Sequence, residues 1–209
     1  MLDIAVLSVG ISLAATMVAA SFALTGALWI VYGHSPLRHV LHGCFNAGLG
    51  LPPVAVGLAI AFMFWRSGPL GPLDLLYTPA AMVFAQIIIV TPLFGSLAVI
   101  ALRAVDPTLP GQLAALRVPA RAQLRLLARE TTPGLLAAGL AGFGRAIAEV
   151  GAAQMTGGNI EGQTRVLTTA TMLDVGRGDF GTAFGYVAVL LGIMGLATGA
   201  AFVLQTRWR

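Results

Sequence analysis

The chain has 209 residues, 57% of them hydrophobic and only 10% charged, with a formal net charge of +4. A soluble domain carries about a quarter charged residues, so this composition excludes an ordinary soluble globular protein and indicates a polytopic membrane protein. Every basic residue apart from the histidines is an arginine, and these gather between apolar stretches with no lysine-rich tail and no interleaved aromatics, which argues against a nucleic-acid partner. Cys44 is the only cysteine, which rules out an intrachain disulfide and a multi-cysteine metal site.

The first apolar run, 4–32, is long enough to cross roughly 30 Å of hydrocarbon with tilt to spare. Asp3 stands where a signal peptide would carry basic residues, and the run is too long for one, so the segment reads as a retained span. Ser12, Thr16, Ser21 and Thr25 recur along it at helical spacing, where hydroxyls ordinarily bond back to their own helix. Lining a polar path is the other reading. His34, His39 and His42 follow at the membrane edge; they read as interfacial, and no metal site is expected.

A second span, 40–65, is interrupted by Pro52-Pro53, which remove backbone donors and force a kink or break. Such breaks persist in membranes only where protein or a cavity satisfies the freed groups. The stretch RSGPLGPLDLLY, 66–77, is a Pro/Gly-rich connection to a third span, 78–102, in which Gln86 and Thr91-Pro92 are polar interruptions. Gln86 reads as a helix-to-helix hydrogen-bonding residue, with a path-lining role as the alternative.

Residues 103–132 differ in kind. Arg117, Arg121, Arg125 and Arg129 recur every four residues and Leu113, Leu116, Leu124 and Leu127 supply an apolar counterpart, which predicts a pair of amphipathic surface helices broken at Pro119. Such a pair lies on anionic lipid or docks into a partner protein. A fourth span is expected over 133–155, then a long connection, 156–179, with a short helix over 165–175 ended by Gly176. Asp179 reads as the N-cap of a fifth span, 180–204.

Arginine counting sets the orientation. Arg38, the 103–129 arginines, Arg207 and Arg209 fall on one side; Arg66, Arg165 and Arg177 fall on the other, and Arg145 lies within the membrane. The richer side is expected to be cytoplasmic, giving an all-α transmembrane bundle of about five spans, a single domain over 1–209, with the N-terminus outside and the C-terminus cytoplasmic.

The most informative stretch is GFGRAIAEVGAAQMTGGNI, 142–160. Arg145 and Glu149 stand one helical turn apart and can pair. An internal salt bridge is one reading; the other is that Arg145 lends positive potential to an anion path while Glu149 keeps binding weak. Gly139, Gly142, Gly144 and Gly151 permit close helix approach. Thr156-Gly157-Gly158-Asn159 reads as a helix stop, or as amide donors for an oxyanion. Hydrolytic motifs are missing, and a chain without lysine cannot supply the lysine of a P-loop. ATP-driven transport therefore requires a nucleotide-binding partner.

The 142–160 stretch, TRVLTTATMLDVGRGDF (164–180) and NAGLGLPPVAVGLAIAFMFWRSGPLGPLDLLYTPAAMVFAQ (46–86) resemble the permease subunit of tungstate-type ABC importers, close to the molybdate and sulfate permeases. The resemblance implies a type I importer fold, a homodimer in the bacterial inner membrane surrounded by lipid, and an external oxyanion-binding protein. It also implies two cytoplasmic ATPase subunits carrying ATP and Mg. The family's cytoplasmic EAA loop falls over 113–133, with its acidic start at Leu113-Ala114-Ala115 and its glycine at Pro119. Candidate ATPase-coupling residues are thus Leu113, Leu116, Arg117, Pro119, Arg121, Arg125 and Glu130; candidate path residues are Gln86, Arg145, Glu149, Thr156, Gly157, Gly158 and Asn159. The family often has an extra N-terminal helix, so a five-span version or a sequence starting downstream of that helix is expected. The mechanism implied is alternating access. A stand-alone anion channel or carrier, and a structural membrane subunit, are the competing readings.

Overall fold

A computed structural model describes residues 1–106 and 108–207. Regular structure among these is helical: α1 (Leu2–Tyr32), α2 (Leu37–Gly48), α3 (Pro53–Phe64), a single 3-10 turn (Gly71–Leu73), α4 (Pro79–Arg103), α5 (Leu109–Ala115), α6 (Ala120–Ile147), α7 (Gly151–Gly157), α8 (Leu167–Gly176) and α9 (Phe180–Arg207). Three helices, α1, α4 and α9, are long and apolar enough to cross a membrane alone. The pairs α2–α3 and α6–α7 qualify together but bend by 106° and 59° at short breaks. Five spans are reached when each bent pair counts as one.

The bundle is built around α4, the most buried of the three long spans. Its principal partner is α1, whose buried face repeats Ala15, Ala19, Ala23 and Ala27, all 0% exposed. In lipid no hydrophobic force draws helices together, so small residues at four-residue spacing are what allow two backbones to approach and gain dispersion contacts. That alanine stripe, rather than the hydroxyls, is the packing signal of the first span. Thr16, Ser21 and Thr25 each donate to the carbonyl four residues back, at 2.7, 2.9 and 2.9 Å, as hydroxyls in apolar helices do. At the edge of the bundle α9 packs chiefly against α8 and α6, and its most apolar window has no buried residue.

Two prolines inside helices do not break them. Thr91 and Pro92 sit within a continuous α4, with the Thr91 hydroxyl donating to Ile87 O at 2.6 Å. Pro133 lies inside α6, and its own carbonyl accepts from Gln205 Nε2 at 3.3 Å. The expected boundary at Pro133 is therefore corrected: a single helix runs from Ala120, through the proline, to Ile147. The second member of the expected surface pair is the base of the fourth span. By contrast Pro52-Pro53 do break the second span. Pro52 is the N-cap of α3 and Pro53 its first residue, where the missing N–H costs nothing.

The apolar core divides at the level of the breaks. One cluster joins α1, α2, α4 and α6 through Ala19, Ala23, Phe45, Val90, Phe94, Ala98 and Ala138, among others. A second joins α3, α7 and the first half of α4 through Val56, Ile60, Phe64, Ala81, Ala85, Ile89 and Ala152. Gly57 is a point of close approach between α3 and α7: a Cβ there would fall 2.7 Å from Ala152 Cα.

Candidate functional site

The break between α6 and α7 is where the sequence's charged pair lies, and its geometry follows from backbone bookkeeping. Ending one helix and starting another inside a membrane frees carbonyls on one side and amides on the other, and no water is present to pair them. The Gln86 side chain, buried in α4, donates to Ala146 O at 3.2 Å. The Glu149 carboxylate accepts the Ala152 amide, in the first turn of α7, at 3.1 Å. Thr168 of α8 donates its hydroxyl to Glu149 O at 2.9 Å. Three side chains, from α4, α8 and the break itself, thus stitch the interruption.

Arg145 closes the arrangement. Its Nη1 lies 2.7 Å from Glu149 Oε2; Glu149 is 5% exposed and the Arg145 side chain 36%. A carboxylate alone at this depth would cost several kcal/mol, and a hydrogen-bonded opposite charge offsets much of that. Arg145 lines a cavity of about 80 Å³ together with Gly48, Leu49, Leu51, Ile89 and Leu93. Gly48 and Leu49 are the carbonyl end of α2, the partly negative pole of that helix, which favours a cation beside it.

Residues 156–159 form a helix stop. The α7 helix ends at Gly157, and Gly158 takes the left-handed conformation (φ 69°) with its amide donating to Gln154 O. Gly158 also faces the Tyr77 ring, where a Cβ would lie 2.8 Å from Cδ1, so a side chain is excluded on two grounds. Asn159 is likewise left-handed, at φ 54°. Thr156 is fully buried; its hydroxyl donates to Ala152 O and its carbonyl accepts from Tyr77 N. The Thr164 hydroxyl donates to Gly157 O and accepts from Ile160 N. Among the described residues, Gln86 Oε1 and Asn159 Oδ1 are buried acceptors without a partner. Of the seven candidate path residues, Gln86, Arg145 and Glu149 converge on the break, while Thr156, Gly157, Gly158 and Asn159 close the far end of α7.

Sequence reading missed the threonines and serine that tie the loop down. Besides Thr168, Ser8 of α1 accepts from Leu167 N at 2.9 Å, and the Thr169 hydroxyl accepts from Val166 N at 3.1 Å at the start of α8. The threonines were visible as hydroxyls in the TRVLTTAT run, but Thr168 and Ser8 reach partners 19 and 159 residues away in the chain. The short helix starts at Leu167 rather than 165, and Asp179 does cap α9. Its carboxylate accepts the Thr182 hydroxyl and amide at 2.7 and 3.1 Å, and those two bonds hold it below the ordinary carboxylate range.

The arginine-rich segment exposes a compact surface at the opposite end. Leu113 is buried, whereas Leu116 and Leu124 are 75% and 71% exposed. Arg117 is in the turn between α5 and α6 with φ 51°, so it does not share a helix face with Arg121, Arg125 and Arg129 as the four-residue spacing suggested. Pro119 is the N-cap of α6, and Glu130 is exposed on that helix. Asp106 is held below the ordinary carboxylate range by the hydroxyl and amide of Thr108, which fixes the turn into α5. Arg209 lies outside the described residues.

A continuous core of α1, α4 and α6, two broken spans and an exposed α5–α6 elbow define the fold of an ABC-transporter permease. The crystal structure of an amino acid ABC transporter with histidines superposes over 99% of this chain and 92% of that one, with a TM-score of 0.69 at 12% identity. Sequence places the chain further. It is 34% identical over 216 residues to a probable anion ABC transporter permease protein of Haloferax volcanii, covering 100% of this chain and 93% of that protein. It is 33% identical to the tungstate uptake system permease protein TupB of Peptoclostridium acidaminophilum (95% and 87% covered) and 28% identical to TupB of Campylobacter jejuni (74% and 65%). No family model matches. The chain belongs to the permease family of anion-transporting ABC systems.

Proposed function

We propose that this chain is the membrane-spanning subunit of an ATP-driven importer of a tetrahedral oxyanion, with tungstate the leading substrate and molybdate or sulfate the alternatives. The observation that carries the reading is the relationship, over essentially the whole chain, to a probable anion permease and a tungstate uptake permease. Two copies enclose the path, and an external binding protein delivers the ion to the side bearing α8. The ATPase docks at the α5–α6 elbow, where Leu116 and Leu124 offer apolar contact among Arg117, Arg121 and Arg125. ATP and Mg belong to that partner, since this chain has no lysine for a phosphate-binding loop. The arginine excess supports an orientation with the elbow in the cytoplasm and the N-terminus outside the bacterial inner membrane.

Proteoliposomes test this directly. Vesicles holding the chain with its ATPase and binding protein should take up tungstate only when ATP is supplied, and vesicles holding the chain alone should take up none. Uptake by the chain alone would instead make it a channel or ion-coupled carrier.

A further inference from the structure

The α6 helix joins two places that matter to different events. Its first residue, Ala120, follows the exposed elbow; its last, Ile147, is at the break. At 1.5 Å per residue its 28 residues make a rod of about 42 Å, unbroken by Pro133. Beyond the break the chain is packed into a different cluster, the α3–α7 layer, where Gly57 brings α3 onto Ala152 and Val54 meets Gly151. That layer has its own discontinuity at Pro52-Pro53, bent by 106°. The outer α3–α7 layer is therefore bounded by two breaks, and the α6 rod ends at one of them.

A break tied only by backbone turns would bend freely and absorb motion of the rod. Here the tie is ionic and spans the interruption: Arg145 is on the last turn of α6, and Glu149 holds Arg145 with one oxygen and the first-turn amide of α7 with the other. The same carboxylate is bonded to both helices. We propose that Arg145 and Glu149 are positioning residues that lock α6 to α7, so that displacement of the cytoplasmic end of α6 is delivered to the α3–α7 layer instead of being lost at the break. This rests on the reading of the elbow as the ATPase contact. The alternative role for Arg145, as an ion ligand, fits its surroundings poorly. Its charge is met by Glu149, and its cavity is lined otherwise by apolar residues and the carbonyl end of α2.

The test uses the whole transporter in proteoliposomes and reads tungstate imported per ATP hydrolysed, together with the concentration of loaded binding protein giving half-maximal import. Glu149→Gln keeps an oxygen for the Ala152 amide but loses the charge; Arg145→Met removes the charge and keeps most of the length; Arg145→Lys keeps the charge. Arg145→Met and Glu149→Gln should continue to hydrolyse ATP but import about tenfold less per ATP at unchanged half-saturation, with Arg145→Lys recovering most of the loss. Import per ATP within about twofold of wild type in both charge-removing variants would overturn the lock. So would a raised half-saturation with import per ATP intact, which would make Arg145 an ion ligand. If Glu149→Gln does not accumulate, Arg145→Met, altering the more exposed partner, reads the same ratio. Wild-type import without ATP would overturn the functional reading itself, an outcome separate from a coupled wild type with unaffected variants.

Discussion

Gln86 and Glu149 are both buried polar residues next to the same helix break, yet they should respond very differently to replacement. Gln86 makes one interhelical bond and leaves its Oε1 unpaired. Gln86→Leu therefore loses a bond worth under about 1 kcal/mol in a membrane and also removes an orphan acceptor, so the two effects nearly cancel. Glu149→Ala strips the α7 amide of its acceptor and leaves Arg145 without its counter-charge, a loss of about 3 kcal/mol. Thermal unfolding of the detergent-solubilised protein should show Gln86→Leu close to wild type and Glu149→Ala clearly destabilised. The reverse order would mean that the break is held by α4 rather than by its own carboxylate.

At the scale of elements, the closeness of α3 and α7 depends on one missing side chain. Gly57→Val places new carbon within 2.7 Å of the Ala152 backbone, which cannot yield as a flexible side chain would. An overpacking cost of about 2 kcal/mol is expected, visible as a lowered unfolding temperature. The last span carries a pH-dependent element. Thr182 holds Asp179 below its ordinary range, so the cap's contribution is fully present above the unfolded aspartate value of about 3.9. It is lost as pH falls through the lower folded value, because protonation then removes the charged acceptor. Asp179→Asn keeps an N-cap but has no charge to titrate. Acid unfolding of the wild type should therefore contain a component that the asparagine variant lacks; identical acid profiles would remove Asp179 from the account.

For the whole molecule, the question is which end faces the cytoplasm. Leu116→Cys in a Cys44→Ser background gives one exposed thiol at the elbow, the replaced Cys44 being itself exposed. A membrane-impermeant maleimide should label it in inverted vesicles and not in intact cells. Labelling from outside would invert the bundle and remove the ATPase from the elbow.

Membrane class, the three to five candidate spans, the break at Pro52-Pro53 and the cap at Asp179 were legible in residue order, because each depends on local chemistry: apolar length, a missing N–H, a carboxylate beside a helix start. Pairing of Arg145 with Glu149 was legible for the same reason, as a contact within one turn. What residue order could not decide was where α6 begins and ends. Pro133 sits inside a continuous α6, its own carbonyl accepting from Gln205 of α9, while the helix stops at Ile147 without any proline or glycine to stop it. Around that stop Gln86, sixty residues upstream of Ala146, and Thr168, nineteen downstream of Glu149, add side-chain donors to the carbonyls of the break. Local propensity sets where a helix can end in lipid; only tertiary contacts decide where it does, since every freed backbone group must find its bond inside the protein.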